Sequence, residues 1–259
     1  METTPVVSVA NNATGKLISA SELFSKSFAL SKIIFWKVIG MNLLPLLTYV
    51  PMALIAALFY LVYYFSSKLG SIASIVMYAI LGIVALVAII IAVYAYLIAQ
   101  IGSYLLIKNK DTNPKVWETF KAAKAQAISF FETNILASIF IFLWFLLFII
   151  PGIIMGIYYN FVAWIFIFEG LRNKSAMRRS KELVKGKWWP VFGRLFLFGF
   201  TIWLVLAIPA IFIEEKSTAD KIYSFVVDVI SLIITPFALA YSYNIYKSLV
   251  DLKNNTIKN

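Results

Sequence analysis

The chain contains no histidine and no cysteine. That removes imidazole bases, thiolate nucleophiles, disulfides and the usual zinc ligands together. What remains for chemistry is charge. The stretch EGLRNKSAMRRSKELVKGKWW, residues 169–189, concentrates seven basic side chains between two apolar runs. Clustered cations of this kind meet phosphate. A soluble phosphate ligand normally needs a Gly-rich cradle as well, and none accompanies these residues. No Walker sequence, metal-ligand spacing or catalytic pair occurs elsewhere, so no catalytic, cofactor-binding or metal residue is expected. The expected partner is the anionic headgroup of a membrane lipid, contacted by Lys174, Arg178, Arg179, Lys181, Lys185 and Lys187, with Trp188 and Trp189 at the aromatic belt. Each such cation contributes about 1 kcal/mol near an anionic leaflet. A solvated loop and a specific phosphate site remain open alternatives.

Three further charged residues sit where a membrane would make them costly. Glu169, Arg194 and Glu132 fall near span ends, and mutual pairing would offset that cost. The expected clamp joins Glu169 to Arg194 or to Arg178 or Arg179. Asp228 lies deeper. With Ser224, Ser231, Thr235 and Ser242 it repeats at helical spacing, giving a polar seam expected to face inward. Such a seam either bonds helices together or lines a route for an ion or polar solute. Ala85, Ala88, Ala92, Ala95, Ala99 and Ser103 form a second seam, of small residues, which reads as a packing device. Gly152 and Gly156 add a GxxxG pair. Asn42, Asn134 and Asn160 are expected to bridge helices.

The elements that must position these groups follow from composition. Hydrophobic residues make up 62% of the 259 residues, charged ones only 14%, and mean hydropathy is +0.88, far from a soluble domain. A spanning helix needs about 20 apolar residues. Six stretches qualify, near 41–64, 71–100, 130–150, 153–168, 190–213 and 222–246. The third and fourth are joined at Pro151-Gly152, which suits a tight turn. Residues 1–15 lack the order of a signal peptide. The expected organisation is a flexible tail over 1–18, one membrane unit over 19–247 and a C-terminal tail over 248–259.

With six spans both ends share one side of the membrane. Placing them inside leaves only Lys68, Lys216 and Lys221 outside, so the positive-inside rule predicts cytoplasmic termini in a plasma membrane. The net charge of +11 is therefore spent in the joints between apolar runs, which argues for lipid and against nucleic acid. Each odd-numbered span follows an amphipathic stretch, near 19–32, 114–127 and 174–187. The first opens on a capping box, Ser19 to Glu22, and the second on Asn113-Pro114. In the third, Ala176, Met177, Ser180, Leu183 and Val184 share one face, with Arg178, Arg179, Lys181, Glu182 and Lys185 opposite. The chain thus reads as an all-α membrane protein of six spans and three interfacial helices on the cytoplasmic face, a unit repeated three times.

Pro151-Gly152, Glu169-Gly170, Ala176, Arg179-Ser180, Leu183, Lys185-Gly186 and Trp189 together resemble the membrane domain of prokaryotic glycerophosphoryl diester phosphodiesterases and its stand-alone integral-membrane relatives. The likeness covers about a fifth of the chain. Longer members carry a soluble hydrolase domain that works through histidines and clustered carboxylates. A chain with no histidine has no counterpart of it, so the resemblance implies membrane layout and a link to glycerophospholipids, without catalysis. The function expected is organisation of lipid, or of a partner protein, with homo-oligomerisation open. The alternative is a transporter or permease using the seam of the sixth span.

Overall fold

The computed structural model describes residues 17–213 and 217–258. Among these there is no strand, and six helical stretches are long and apolar enough to cross a membrane. The protein is an all-α, multi-pass membrane protein. The expected tail over 1–16 and Lys216 lie outside the described residues, as does the side chain of Lys68.

The first unit begins at α1, Ala20–Leu43. The Ser19 hydroxyl accepts from the Glu22 amide at 3.2 Å, as the capping-box spacing predicts. A 3-10 turn over Leu44–Thr48, carrying Pro45, leads into α2, Tyr49–Leu69. Gly70, at φ 76°, turns the chain into α3, Ser71–Lys108. The second unit is α4 (Val116–Lys124), α5 (Ala127–Leu147), α6 (Ile149–Tyr159) and α7 (Val162–Glu169). The third is α8 (Asn173–Val184), α9 (Trp188–Ala210) and α10 (Thr218–Lys258).

Where α1 runs is settled by its ends. At its start the Ile18 amide donates to Ser248 Oγ at 3.2 Å and the Ile18 carbonyl accepts from Arg194, so it begins beside α9 and α10. At its finish Asn42 Nδ2 reaches Ser103 Oγ at 3.4 Å, and Met41 lies against Gly102 of α3. Its 24 residues, about 36 Å at 1.5 Å each, therefore cross the end of the bundle from the third unit to the first. The helix expected over 19–32 continues to Leu43, and the 3-10 turn over Leu44–Thr48 separates it from α2. The reason is that residues 33–43 keep burying Ile34, Val38 and Met41 on α1's inner face.

The core gathers at this same end. Buried side chains come from α1, the last third of α3, the starts of α5 and α9, all of α7, one face of α8 and α10 beyond Pro236. Away from it, three hairpins extend: α2 with α3, α5 with α6, and α9 with α10. Their far halves bury little, and Leu61, Ile83, Leu86, Phe142, Leu146, Trp203 and Phe225 are exposed. Apolar surface on that scale belongs in lipid. The long helices fit this plan, since α3 has 38 residues and α10 has 41, about 57 and 61 Å, against roughly 30 Å of hydrocarbon. Their inner thirds are buried in the core. In consequence the expected C-terminal tail over 248–259 is helical through Lys258, with Ser248, Leu249 and Leu252 buried. Leu17 and Ile18, expected in the N-terminal tail, are buried too.

Within the first hairpin Met52, Ile55, Phe59 and Val62 are on the less exposed face of α2, and Phe59 stacks on Tyr78 of α3 at 6.2 Å. The second hairpin turns at Phe148, whose extended backbone falls three residues before the expected Pro151-Gly152 turn. Pro151 occupies the first turn of α6, where its missing N–H costs nothing. Gly152 is needed for contact: a Cβ there would stand 2.4 Å from Phe145 Cγ.

Candidate functional site

The fourth span is broken. Between α6 and α7, residues Asn160 and Phe161 leave the helical ladder, and α8 repairs the gap. Ser180 Oγ donates to the Tyr158 carbonyl at 2.6 Å and accepts from the Phe161 amide at 3.3 Å. Irregular backbone at membrane depth persists only where protein satisfies it, and the buried Ser180 does so. At its start α8 is held by Asn173, whose amide donates to Thr133 Oγ1 of α5 at 3.1 Å.

Ala176, Met177, Ser180, Leu183 and Val184 are all buried, so the face read from helical spacing is correct. Its destination differs from the expectation. The apolar stripe closes on α5, α6, α7 and α10 instead of dipping into lipid, because the break and the core beside it offer protein surface of matching width. The opposite face keeps Lys174, Arg178, Lys181 and Lys185 exposed. Lys181 Nζ stands 5.7 Å from the Tyr158 ring centroid. Lys187 is half-buried. Trp188 is half-buried too and donates to the Ile154 carbonyl at 3.3 Å, whereas Trp189 is 74% exposed.

Arg179 turns the other way. Its Nε donates to Glu169 Oε2 at 2.8 Å, and Tyr246 of α10 donates its hydroxyl to Oε1 at 3.1 Å. Glu169 closes α7, and Gly170 at φ 69° reverses the chain so that α8 can return over it. One carboxylate thereby joins α7, α8 and α10. Of the three expected clamp residues, only Glu169 takes part. Arg194 instead donates to the Pro190 carbonyl at 2.8 Å and to the Ile18 carbonyl, fixing the start of α1. Its own carbonyl accepts from Tyr241 at 3.1 Å. Glu132 is exposed and makes no ion pair among the described residues. Tyr246 was not anticipated, since a tyrosine inside an apolar run gives no sequence sign of its partner.

The core that carries this clamp is aromatic. Trp164, fully buried, meets Tyr104 edge-on at 4.5 Å and Tyr243 at 5.3 Å, and its indole N–H donates to Ser242 Oγ at 3.0 Å. Ser242 is thus interhelical glue. The rest of the seam divides. Thr235 is half-buried, but Ser224, Asp228 and Ser231 are exposed, while Tyr223, Val227, Ile230 and Ile234 turn toward the protein. The inward seam is therefore corrected for its outer half. On that inner face Tyr223 reaches α9, donating its hydroxyl to the Leu206 carbonyl. Asp228 has no hydrogen-bond or ion-pair partner among the described residues. Asn42 does bridge two helices, whereas Asn134 bonds only the Phe130 carbonyl of its own helix and Asn160 is exposed at the break. Asn113 does not cap α4, since Lys115 precedes the helix; instead it adopts φ 50° and accepts from Lys37.

Taken together, these contacts gather α1, α4, α8 and the basic ends of α3 and α10 at one end of the molecule, with exposed cations over an aromatic core. Among the described residues no group of carboxylates is placed to hold a metal. No family model, no curated protein and no solved structure matches this chain.

Proposed function

We propose that this membrane protein organises lipid, or a partner protein, at the cytoplasmic face of a plasma membrane, without catalysis of its own. The observation that carries the reading is the mounting of α8. Its apolar face is locked into the bundle, so Lys174, Arg178, Lys181 and Lys185 form a fixed cationic surface beside the exposed Trp189. Fixed cations at about 1 kcal/mol each select anionic headgroups without the entropy loss of a mobile loop. The excess of Lys and Arg at that end favours its facing the cytoplasm, termini included. The resemblance to phosphodiesterase membrane domains supports a role near glycerophospholipid turnover.

Transport through the sixth span is the less supported alternative, because Ser224, Asp228 and Ser231 point away from the bundle. The deciding experiment extracts wild-type protein and a Lys174→Gln, Arg178→Gln, Lys181→Gln, Lys185→Gln variant directly into lipid nanodiscs. Anionic lipid should be enriched around the wild type and depleted around the variant. Identical lipid compositions would refute the reading. A reporter fused after Asn259 checks the topology, and must report from the cytoplasm.

A further inference from the structure

Where α1 crosses the third hairpin it leaves a groove open to the outside. The groove is about 620 Å³, within the range of small-molecule sites, roughly 300–1,000 Å³. Its floor is apolar, built by Phe198 of α9 and by Ile233 and Phe237 of α10, and Phe28 of α1 forms one wall. Among the described residues, Lys32 is the only charged one lining it. Its ammonium lies 4.4 Å from the Phe28 ring centroid, on the groove wall, and it makes no ion pair among the described residues. One turn further along α1, Trp36 is 78% exposed and lines the same groove, adding an indole N–H donor.

We infer that this groove holds one phospholipid with a net negative headgroup, its phosphate at Lys32 and Trp36 and an acyl chain along Phe198, Ile233 and Phe237. The reading rests on the proposed lipid-organising role and gives it a defined site. Two arguments fix the occupant. An acyl chain moving from bilayer to groove leaves one hydrocarbon setting for another, so the apolar floor contributes fit but little free energy. Selection must therefore come from the rim. Among the described residues the rim offers a cation and a donor and no carboxylate, so a zwitterionic lipid would bring an ammonium that none of them neutralises. The nearest acidic residue on α1, Glu22, is already engaged with Lys26 at 2.7 Å. A net-anionic headgroup satisfies the rim and leaves no charge over.

The test is native mass spectrometry of the full-length protein in mixed phosphatidylglycerol and phosphatidylcholine. The wild type should retain one phosphatidylglycerol in preference to phosphatidylcholine. Lys32→Gln should reduce that preference about fivefold, the effect of one interfacial cation, and Lys32→Arg should keep it. Ile233→Trp, which fills the floor, should abolish retention of both lipids. The fourfold glutamine variant of α8 should still hold the single lipid, although it loses the broader anionic shell. Undiminished preference in Lys32→Gln, or full retention in Ile233→Trp, overturns the inference while leaving the α8 surface standing. Loss of the single lipid in the α8 variant but not in Lys32→Gln also overturns it and places the site on α8.

Discussion

Replacing Glu169 with glutamine tests the joint between α7, α8 and α10. Glu169 and Arg179 are 23% and 22% exposed, so the pair falls between a surface bridge, worth about 0–1 kcal/mol, and a fully buried one, whose rupture costs about 3–5 kcal/mol. The glutamine keeps an acceptor for Tyr246 but leaves Arg179 half-buried without its counter-charge. A loss of about 2 kcal/mol follows, within the range of about 1.5–3 kcal/mol for hydrogen bonds to charged groups. At about 2–4 °C per kcal/mol for a chain of this size, apparent melting in detergent should fall by roughly 4–8 °C, read by fluorescence-detected size-exclusion after heating. Because the guanidinium meets one carboxylate oxygen at 2.8 Å and the tyrosine meets the other at 3.1 Å, the two contacts should separate. Tyr246→Phe should cost about 1 kcal/mol, and Glu169→Gln with Arg179→Gln should cost less than the sum of the single changes, by about 1 kcal/mol or more. Exchange of the charges, Glu169→Arg with Arg179→Glu, should recover part of the loss of either alone. Additive single effects and no recovery on exchange would show that the clamp holds nothing.

Ser180→Ala should destabilise by about 1–3 kcal/mol, more than Ser180→Thr, because it strips the Tyr158 carbonyl and Phe161 amide of their shared partner; faster proteolysis within 158–161 provides the readout. Gly152→Ala should cost about 1–3 kcal/mol in the same melting assay and be relieved by Phe145→Leu, since the added Cβ meets Phe145 Cγ, the root of the ring, at 2.4 Å. Gly102→Ala meets Met41 Sδ at 2.6 Å, and Met41 is fully buried, so it too should cost about 1–3 kcal/mol. Asp228→Leu should leave melting in detergent within about 0.5 kcal/mol of wild type, because the carboxylate is exposed and unpartnered among the described residues. A fluorophore on Asp228→Cys, clean in a chain with no cysteine, should be quenched by lipid-borne nitroxide more strongly than one on Val227→Cys; the reverse order would restore an inward seam.

Local chemistry was legible in the sequence wherever one helix determined it. The capping box at Ser19, the face of α8 and the alanine seam of α3 all depend on spacing within a single element, and all three lie where that spacing puts them. Partners across elements were legible only as a class. Glu169 had three arginine candidates, and the choice of Arg179 depends on Gly170 reversing the chain so that α8 folds back over α7. The α10 seam misled for a different reason. A helical repeat identifies which residues share a face, but which face turns inward depends on the neighbour's distance. Near Ser242 the neighbour is Trp164 at 3.0 Å, so a small polar residue fits. Further out the neighbour is α9, which Tyr223 meets at the Leu206 carbonyl, and Asp228, about twenty ångströms from Ser242 along α10, is exposed on the other side.

Uneven packing along the molecule is also what makes a lipid site available. A bundle packed along its full length, with small residues at every crossing, would leave no room beside α1. Here the packing is strong at one end, where α1, α7 and α8 insert between the hairpins, and relaxes away from it. Since lipid tails drive helices together no better than other hydrocarbon does, the far halves gain little by closing, and the spaces between them remain open to acyl chains. The elements that wedge the hairpins apart also carry the cations: Lys32 on α1 and Lys174, Arg178, Lys181 and Lys185 on α8. Headgroup selection and chain accommodation then arise from one cause. A shortened α1 should remove both at once, so deletion of residues through Ile34 should abolish phosphatidylglycerol preference and let α9 and α10 draw together beside α1's former position, read as a shorter distance between spin labels at residues 198 and 233. Retained preference with an unchanged distance would separate the two and refute the common origin.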